Sequence, residues 1–230
     1  AANASEHVFN VTVDYVNISG FTVTGATGWG WPGPAGIFLD SVEHCNISNN
    51  NVSNNYAGIR LWYSSNNTLT NNEICKNLDE GVILWHSSNN TISDNKLDQN
   101  HWAGICLVVS SNNTITNNTA SNSSYGHGIY LKESSSNTIT DNEVLDNGFG
   151  IVYLQWSSTN TLTNNTFVNN GLYVGDHYSY QKRVEYNTVN GKPLAYLEDA
   201  ADQTITNAGQ VILVNCDNIT AENLDLSNAS

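Results

Sequence analysis

Ser65-Asn66-Asn67-Thr68, Ser88-Asn89-Asn90-Thr91 and Ser111-Asn112-Asn113-Thr114 recur at intervals of 23 residues; Ser136-Asn137-Thr138 follows after 24 and Thr159-Asn160-Thr161 after 23. A fixed period of this length marks a solenoid, in which each unit buries its apolar face only against its neighbours. Within a unit the apolar residues alternate in short runs, the period of a strand rather than of a helix. Aligned on the Thr slot, one column reads Ile47, Leu69, Ile92, Ile115, Ile139, Leu162 and another Val52, Ile74, Leu97, Ala120, Val144, Phe167. A third motif, Gly-apolar-x-apolar, recurs at Gly36-Ile37-Phe38-Leu39, Gly58-Ile59-Arg60-Leu61, Gly81-Val82-Ile83-Leu84, Gly104-Ile105-Cys106-Leu107 and Gly128-Ile129-Tyr130-Leu131.

These columns predict an all-β fold: a single-stranded, right-handed parallel β-helix of about 23-residue coils, with three strands per coil around one dry core. Asn columns separate the strands, Asn50, Asn72, Asn95, Asn118, Asn142, Asn165 in one and Asn55, Asn77, Asn100, Asn147, Asn170 in another, with Ser123 replacing Asn in the fifth coil. Asn tolerates the left-handed corner conformation, and its amide can bond the Asn of the next coil. At about 4.8 Å per coil, roughly nine coils make a rod of about 40 Å.

Residues 1–230 read as one such domain with loop insertions near 25–35 and 173–209, the helix resuming at Val211-Ile212-Leu213 and Asn218-Ile219-Thr220. The chain starts at Ala1 and has no Met, as expected of a piece of a larger extracellular protein.

The net charge of -14, from 7 Lys+Arg against 21 Asp+Glu, repels phosphate backbones and argues against nucleic acid as a partner. No apolar stretch approaches the roughly 18 residues needed to span a bilayer. N-x-[ST] triplets recur, for example at Asn66, Asn89 and Asn112, and suit an exported glycoprotein. The four Cys fall in different columns without C-x-x-C spacing and read as free thiols; no metal site is expected.

With its Gly-Ile-x-Leu and Ser-Ser-Asn-Asn-Thr-Ile-Thr motifs, and the segment from Asn190-Gly191-Lys192-Pro193-Leu194 to Gln210-Val211-Ile212-Leu213, the chain resembles the NosD-like parallel β-helix repeat proteins. These are also described as carbohydrate-binding and sugar-hydrolase domains, and they abound in archaeal, especially methanogen, surface proteins. The resemblance implies the β-helix fold and an extracellular, cell-surface or S-layer setting. It also brings in a periplasmic copper-site maturation factor, but without Met and without paired His or Cys that role lacks its soft ligands.

Around the Gly-Ile-x-Leu sheet, outward and rim slots carry Tyr56, Trp62, Tyr63, Trp85, Trp102 and Tyr130, with Trp29 and Trp31 in the adjoining loop. Such rings can stack on the C–H faces of sugars, dock a protein, or stack on one another. The repeat places Trp62 and Trp85 one coil apart, about 5 Å from each other. For catalysis the candidates on the same sheet are Asp40, Arg60, Asp79, Glu80, His101, Lys132 and Glu133. Asp79 and Glu80 adjoin in sequence, so their side chains are expected to diverge. The expected function is therefore structural and polysaccharide-binding, with a cell-envelope glycan as partner. A polysaccharide lyase or glycoside hydrolase, and a self-associating or adhesive surface protein, are the alternatives. No cofactor is expected for binding; Ca²⁺ belongs to the lyase alternative.

Overall fold

The computed structural model describes residues 3–30, 32–149, 151–175, 181 and 183–229. They form an all-β parallel solenoid in which each coil contributes one strand to each of three parallel sheets. Two of the sheets stack eight strands deep, and the third continues through ten. At about 4.8 Å per strand, eight coils span roughly 34 Å rather than the nine-coil length expected from the sequence.

The six-residue strands Ala35–Asp40, Ala57–Trp62, Glu80–Trp85, Ala103–Val108 and His127–Lys132 carry the Gly-apolar-x-apolar motif. Along the coils the two other sheets are built mainly of three-residue strands such as Thr91–Ser93 and Lys96–Asp98. Successive coils pair in register, Leu69 with Ile92 and Ile92 with Ile115 in one sheet, Ile74 with Leu97 and Leu97 with Ala120 in the next. All of these side chains lie in the core.

The Asn ladders sit at the corners, with each amide satisfying backbone that no strand can reach. Asn95 is buried; its Oδ1 accepts from the backbone N–H and the side-chain Nδ2 of Asn72, both at 2.9 Å. Its own N–H donates to Asn118 Oδ1 at 3.0 Å, and its Nδ2 to the carbonyls of Leu69 and Ser93 at 2.9 Å. A further ladder runs through Asn67, Asn90, Asn113, Asn137 and Asn160. Beside it, Ser64, Ser87, Ser110, Ser134 and Ser157 bond coil to coil through their hydroxyls.

The left-handed conformation is not taken by the ladder residues. It belongs to the residue just before each of them, such as Asn71, Asp94, Asn117, Asp141 and Asn164. Two neighbours divide the work expected of one Asn: the first makes the corner and the second turns inward to bond.

The C-terminal part departs from the sequence expectation. Among the described residues of 173–209, Arg183–Glu185 and Thr188–Val189 are strands that stack on the preceding coil, with Val184 on Leu162 and Asn187 accepting from Asn165 at 2.9 Å. The chain then reverses at Asn190-Gly191, both with positive φ, and Lys192–Glu198 pairs antiparallel with Thr188–Val189. Gln210–Val214 pairs in parallel with that reversed strand, and Thr220–Ala221 with Thr204–Ile205, so parallel coiling resumes near the expected residues but in the reversed direction. Asn-Gly between strands favours this hairpin because both central residues need positive φ.

Two substitutions test the register. Asn95→Leu orphans donors and acceptors in two neighbouring coils and is expected to cost about 1 to 3 kcal/mol. Ile92→Ala leaves a core cavity and should cost about 2 to 5 kcal/mol. Thermal or denaturant unfolding reads both; an unchanged midpoint for either contradicts the columns.

Candidate functional site

The outward face of the long-stranded sheet is organised by its glycines. A Cβ on Gly58 would lie 2.6 Å from Ile74 Cγ2 in the core and 2.4 Å from the Gly81 carbonyl oxygen, so this position faces inward with no room for a side chain. Ile59 is also in the core. Two consecutive inward positions break the alternation and turn the preceding residue outward.

Three outward files result. The first holds Ala35, Ala57, Glu80, Ala103 and His127, the second Phe38, Arg60, Ile83, Cys106 and Tyr130, the third Asp40, Trp62, Trp85, Val108 and Lys132. Ala57 and Ala103 flank Glu80 in its file, which leaves space for a long acidic side chain beneath larger neighbours.

These files border a cleft of about 240 Å³. Ile83, Cys106 and Val108 make its buried floor. Trp62 and Trp85 form one wall, stacked with ring centroids 5.5 Å apart and planes 11° from parallel. Trp102 and Tyr130 form another, edge to face at 5.0 Å. Pro32 and Gly33 close one end, where a Cβ on Gly33 would meet the Tyr56 ring at 2.3 Å; only glycine lets the loop approach so closely.

The polar groups gather at that end. Arg60, 4% exposed, donates from Nη1 to the Gly33 carbonyl and so ties the loop to the sheet. Asp79 and Glu80 both line the cleft. The expectation that they diverge is overturned, because Asp79 lies in the bend before the strand and escapes its alternation.

Glu80 is 7% exposed, and its Oε2 has no hydrogen-bond partner. Burial, reinforced by the Asp79 charge, pushes its carboxyl up to about 7, with Arg60 opposing. Burial also raises Asp79, against the Tyr56 hydroxyl and Arg60, which favour its ionised form. Two such carboxyls titrate as a pair and hold one proton well above the ordinary carboxylate range.

The other sequence candidates are dispersed. Lys132 lines the far side of the cleft, its Nζ 5.9 Å from the Trp156 ring centroid. Asp40 accepts from the Ser41 hydroxyl, His101 stands exposed against Tyr125, and Glu133 occupies an exposed corner; none of the three lines the cleft. Tyr63 turns around the corner and stacks on His86 at 4.8 Å. Trp29, 86% exposed, meets Tyr56 edge-on at 6.0 Å. Trp31 lies outside the described residues. His127 was not singled out by the sequence as a site residue. Burial lowers its pKa to about 4, and its Nδ1 is buried without a partner. Burial likewise pushes the Tyr130 hydroxyl up to about 12 as it donates to Gln155 Oε1 at 2.7 Å.

Glu80 makes stability depend on pH. Its carboxyl is raised from 4.5 in the unfolded chain to about 7 when folded, so the folded state binds the extra proton. That stability is fully present below about pH 4.5 and is lost as pH rises through 7, up to on the order of 3 kcal/mol. Glu80→Gln removes the Glu80 part of this titration. Measured against it by denaturant unfolding, the parent should lose stability between pH 4.5 and 8; parallel curves for the two proteins would contradict the assignment.

Residues 10–193 match the family described as NosD, periplasmic copper-binding protein. No curated protein matches the chain closely enough in sequence to count as a relative. Among solved structures, it is similar to the alginate lyase from Paenibacillus sp. str. FPU-7, with TM-score 0.53, 15% identity and coverage of 94% of this chain and 87% of that one. It is also similar to DFA-IIIase from Arthrobacter chlorophenolicus A6 in complex with DFA-III, with TM-score 0.54, 13% identity and coverage of 94% and 56%. At these identities the likeness is one of fold. The copper of the family description does not fit the donors present. Met is absent from the chain, and the Cys45 and Cys216 thiols bond backbone carbonyls. Cys106 lies under the aromatic rim, and among the described residues no three His, Cys, Asp or Glu groups converge as ligands. By the match over residues 10–193, and with the solenoid geometry in agreement, this chain belongs to the NosD family of parallel β-helix proteins.

Proposed function

We propose that the protein is an extracellular or cell-envelope β-helix module that binds a polysaccharide chain in the aromatic cleft. The observation that carries this is the Trp62–Trp85 stack, 5.5 Å between centroids, along a cleft with buried polar groups at one end. Sugar rings present apolar C–H faces that pack on such indoles, and their hydroxyls seek acceptors such as Asp79 and Glu80. Coils repeat at about 4.8 Å, close to the length of one sugar unit, so a glycan lying along the axis meets an equivalent surface at each coil. The aromatic surface continues beyond the cleft through Tyr130, Tyr153 and Tyr173, at 5.4 and 5.0 Å.

The acidic pair and the net charge of -14 favour a neutral glycan over a polyanion. Solved proteins of the same fold bear the names alginate lyase and DFA-IIIase, which makes saccharides the first ligand class to test. The periplasmic setting in the family description supports an envelope or extracellular location. Among the described residues no helix is long and apolar enough to cross a membrane.

Trp62→Ala combined with Trp85→Ala should weaken binding of a neutral polysaccharide by at least about tenfold in isothermal titration, with the far-UV spectrum unchanged, since neither ring belongs to the solenoid core. A double variant that binds as well as the parent would contradict the proposal, as would a parent that binds no glycan.

A further inference from the structure

The acidic end of the cleft offers more than sugar hydroxyls can fill. Glu80 is 7% exposed and lines the cleft, and its Oε2 has no hydrogen-bond partner. A buried carboxyl oxygen left open is costly unless a ligand completes it, and the flanking Ala57 and Ala103 supply nothing polar. Glu80 and Asp79 are hydrogen-bonded to each other and burial raises both, so one proton is held between two carboxyls. Arg60 balances only one of them: it favours the ionised form of Asp79, while its Nη1 donates to the Gly33 carbonyl. Lys132 lies at the far side of the cleft, its Nζ 5.9 Å from the Trp156 ring centroid. The shared proton therefore stands where a cation brought by a ligand would fit. Tyr56, Trp62, Trp85 and Trp102 line the same cleft, and the electron-rich faces of such rings attract a partly dehydrated cation.

We propose that the Asp79–Glu80 end of the cleft is a subsite for a protonated primary amine on a sugar ring, so that the glycan held against Trp62 and Trp85 carries amino sugars. The proposal rests on the glycan-binding reading of the same cleft and names the class of sugar. An ammonium group has three N–H donors and can bond Glu80 Oε2 and Asp79 together, whereas a hydroxyl brings one donor and no charge. As the ammonium binds, the shared proton leaves to solvent. Two carboxylates then face two cations, the ligand's ammonium and Arg60.

The charged and titratable groups facing the pair are Arg60 and Tyr56 from the preceding coil, Cys106 from the following one, and His101 beside Asp79. Burial raises the Tyr56 hydroxyl and the Cys106 thiol, so both stay neutral while the pair titrates.

The test titrates the whole chain calorimetrically with β-1,4-linked hexamers of glucosamine, N-acetylglucosamine and glucose, which share a backbone and differ in one substituent. Hexalysine serves as a polycation without sugar, and dextran, barley β-glucan and galactomannan as neutral polymers. Near neutral pH the glucosamine hexamer should bind at least about tenfold tighter than either of the other two. Its affinity should rise between about pH 5 and 7, by up to about tenfold per unit, because binding displaces up to one proton. Heats in buffers of different ionisation enthalpy count that proton, and both measurements need only the parent protein. Glu80→Gln should abolish the rise and cost the glucosamine hexamer at least about tenfold more affinity than the glucose hexamer. His101→Gln, which removes the imidazole facing Asp79, should keep the rise.

A parent that binds any neutral glycan but shows no preference for the glucosamine hexamer overturns the amine subsite and leaves the binding reading standing. Binding of no glycan overturns both. Hexalysine bound as tightly as the glucosamine hexamer, or a preference that survives in Glu80→Gln, would reflect attraction to the net charge of -14 alone and overturns the subsite. Binding of the glucosamine hexamer without proton release overturns it as well.

Discussion

Every feature of this chain depends on coils lying directly on one another at strand spacing. In-register parallel pairing puts like on like, so Ile92 rests between Leu69 and Ile115 and Asn95 between Asn72 and Asn118. The aliphatic columns supply the apolar burial, and the amide ladders satisfy corner backbone that strands leave open. Because neighbouring coils carry the stabilisation, an individual coil is free to vary on its outer face.

That freedom is what builds the cleft. The outward files change from coil to coil, with Phe38, Arg60, Ile83, Cys106 and Tyr130 in one and Asp40, Trp62, Trp85, Val108 and Lys132 in another, while the inward files stay aliphatic. The buried carboxyl at Glu80 is supported by the same geometry, since its file holds alanine on both sides and the loop at Gly33 is held by Arg60.

The core and two of the Asn ladders were legible in the sequence because a period of about 23 residues fixes each slot, and a side chain repeated in one slot for six coils has little alternative. Trp62 and Trp85 were placed by the same logic. Three matters were not legible. The left-handed corners fell to residues such as Asn71 and Asp94 rather than to the ladder Asn, since both belong to Asn-rich pairs in which either member can turn. Asp79 and Glu80 converge because adjacent side chains diverge only within extended strand, and Asp79 precedes it. The reversal after Val189 went unread although Asn190-Gly191 carries the hairpin signal, because the following Val-Ile-Leu run resembles another coil.

The claim on which the site depends is that the solenoid holds a protonated carboxyl in its aromatic cleft near neutral pH. Carbon-13 NMR titration of the Glu and Asp side-chain carboxyls in the whole chain, with Glu80→Gln to assign the resonance, measures it directly. One carboxyl titrating at about 7 and absent from the variant is the predicted result; a spectrum in which every carboxyl titrates below about 5 would contradict it.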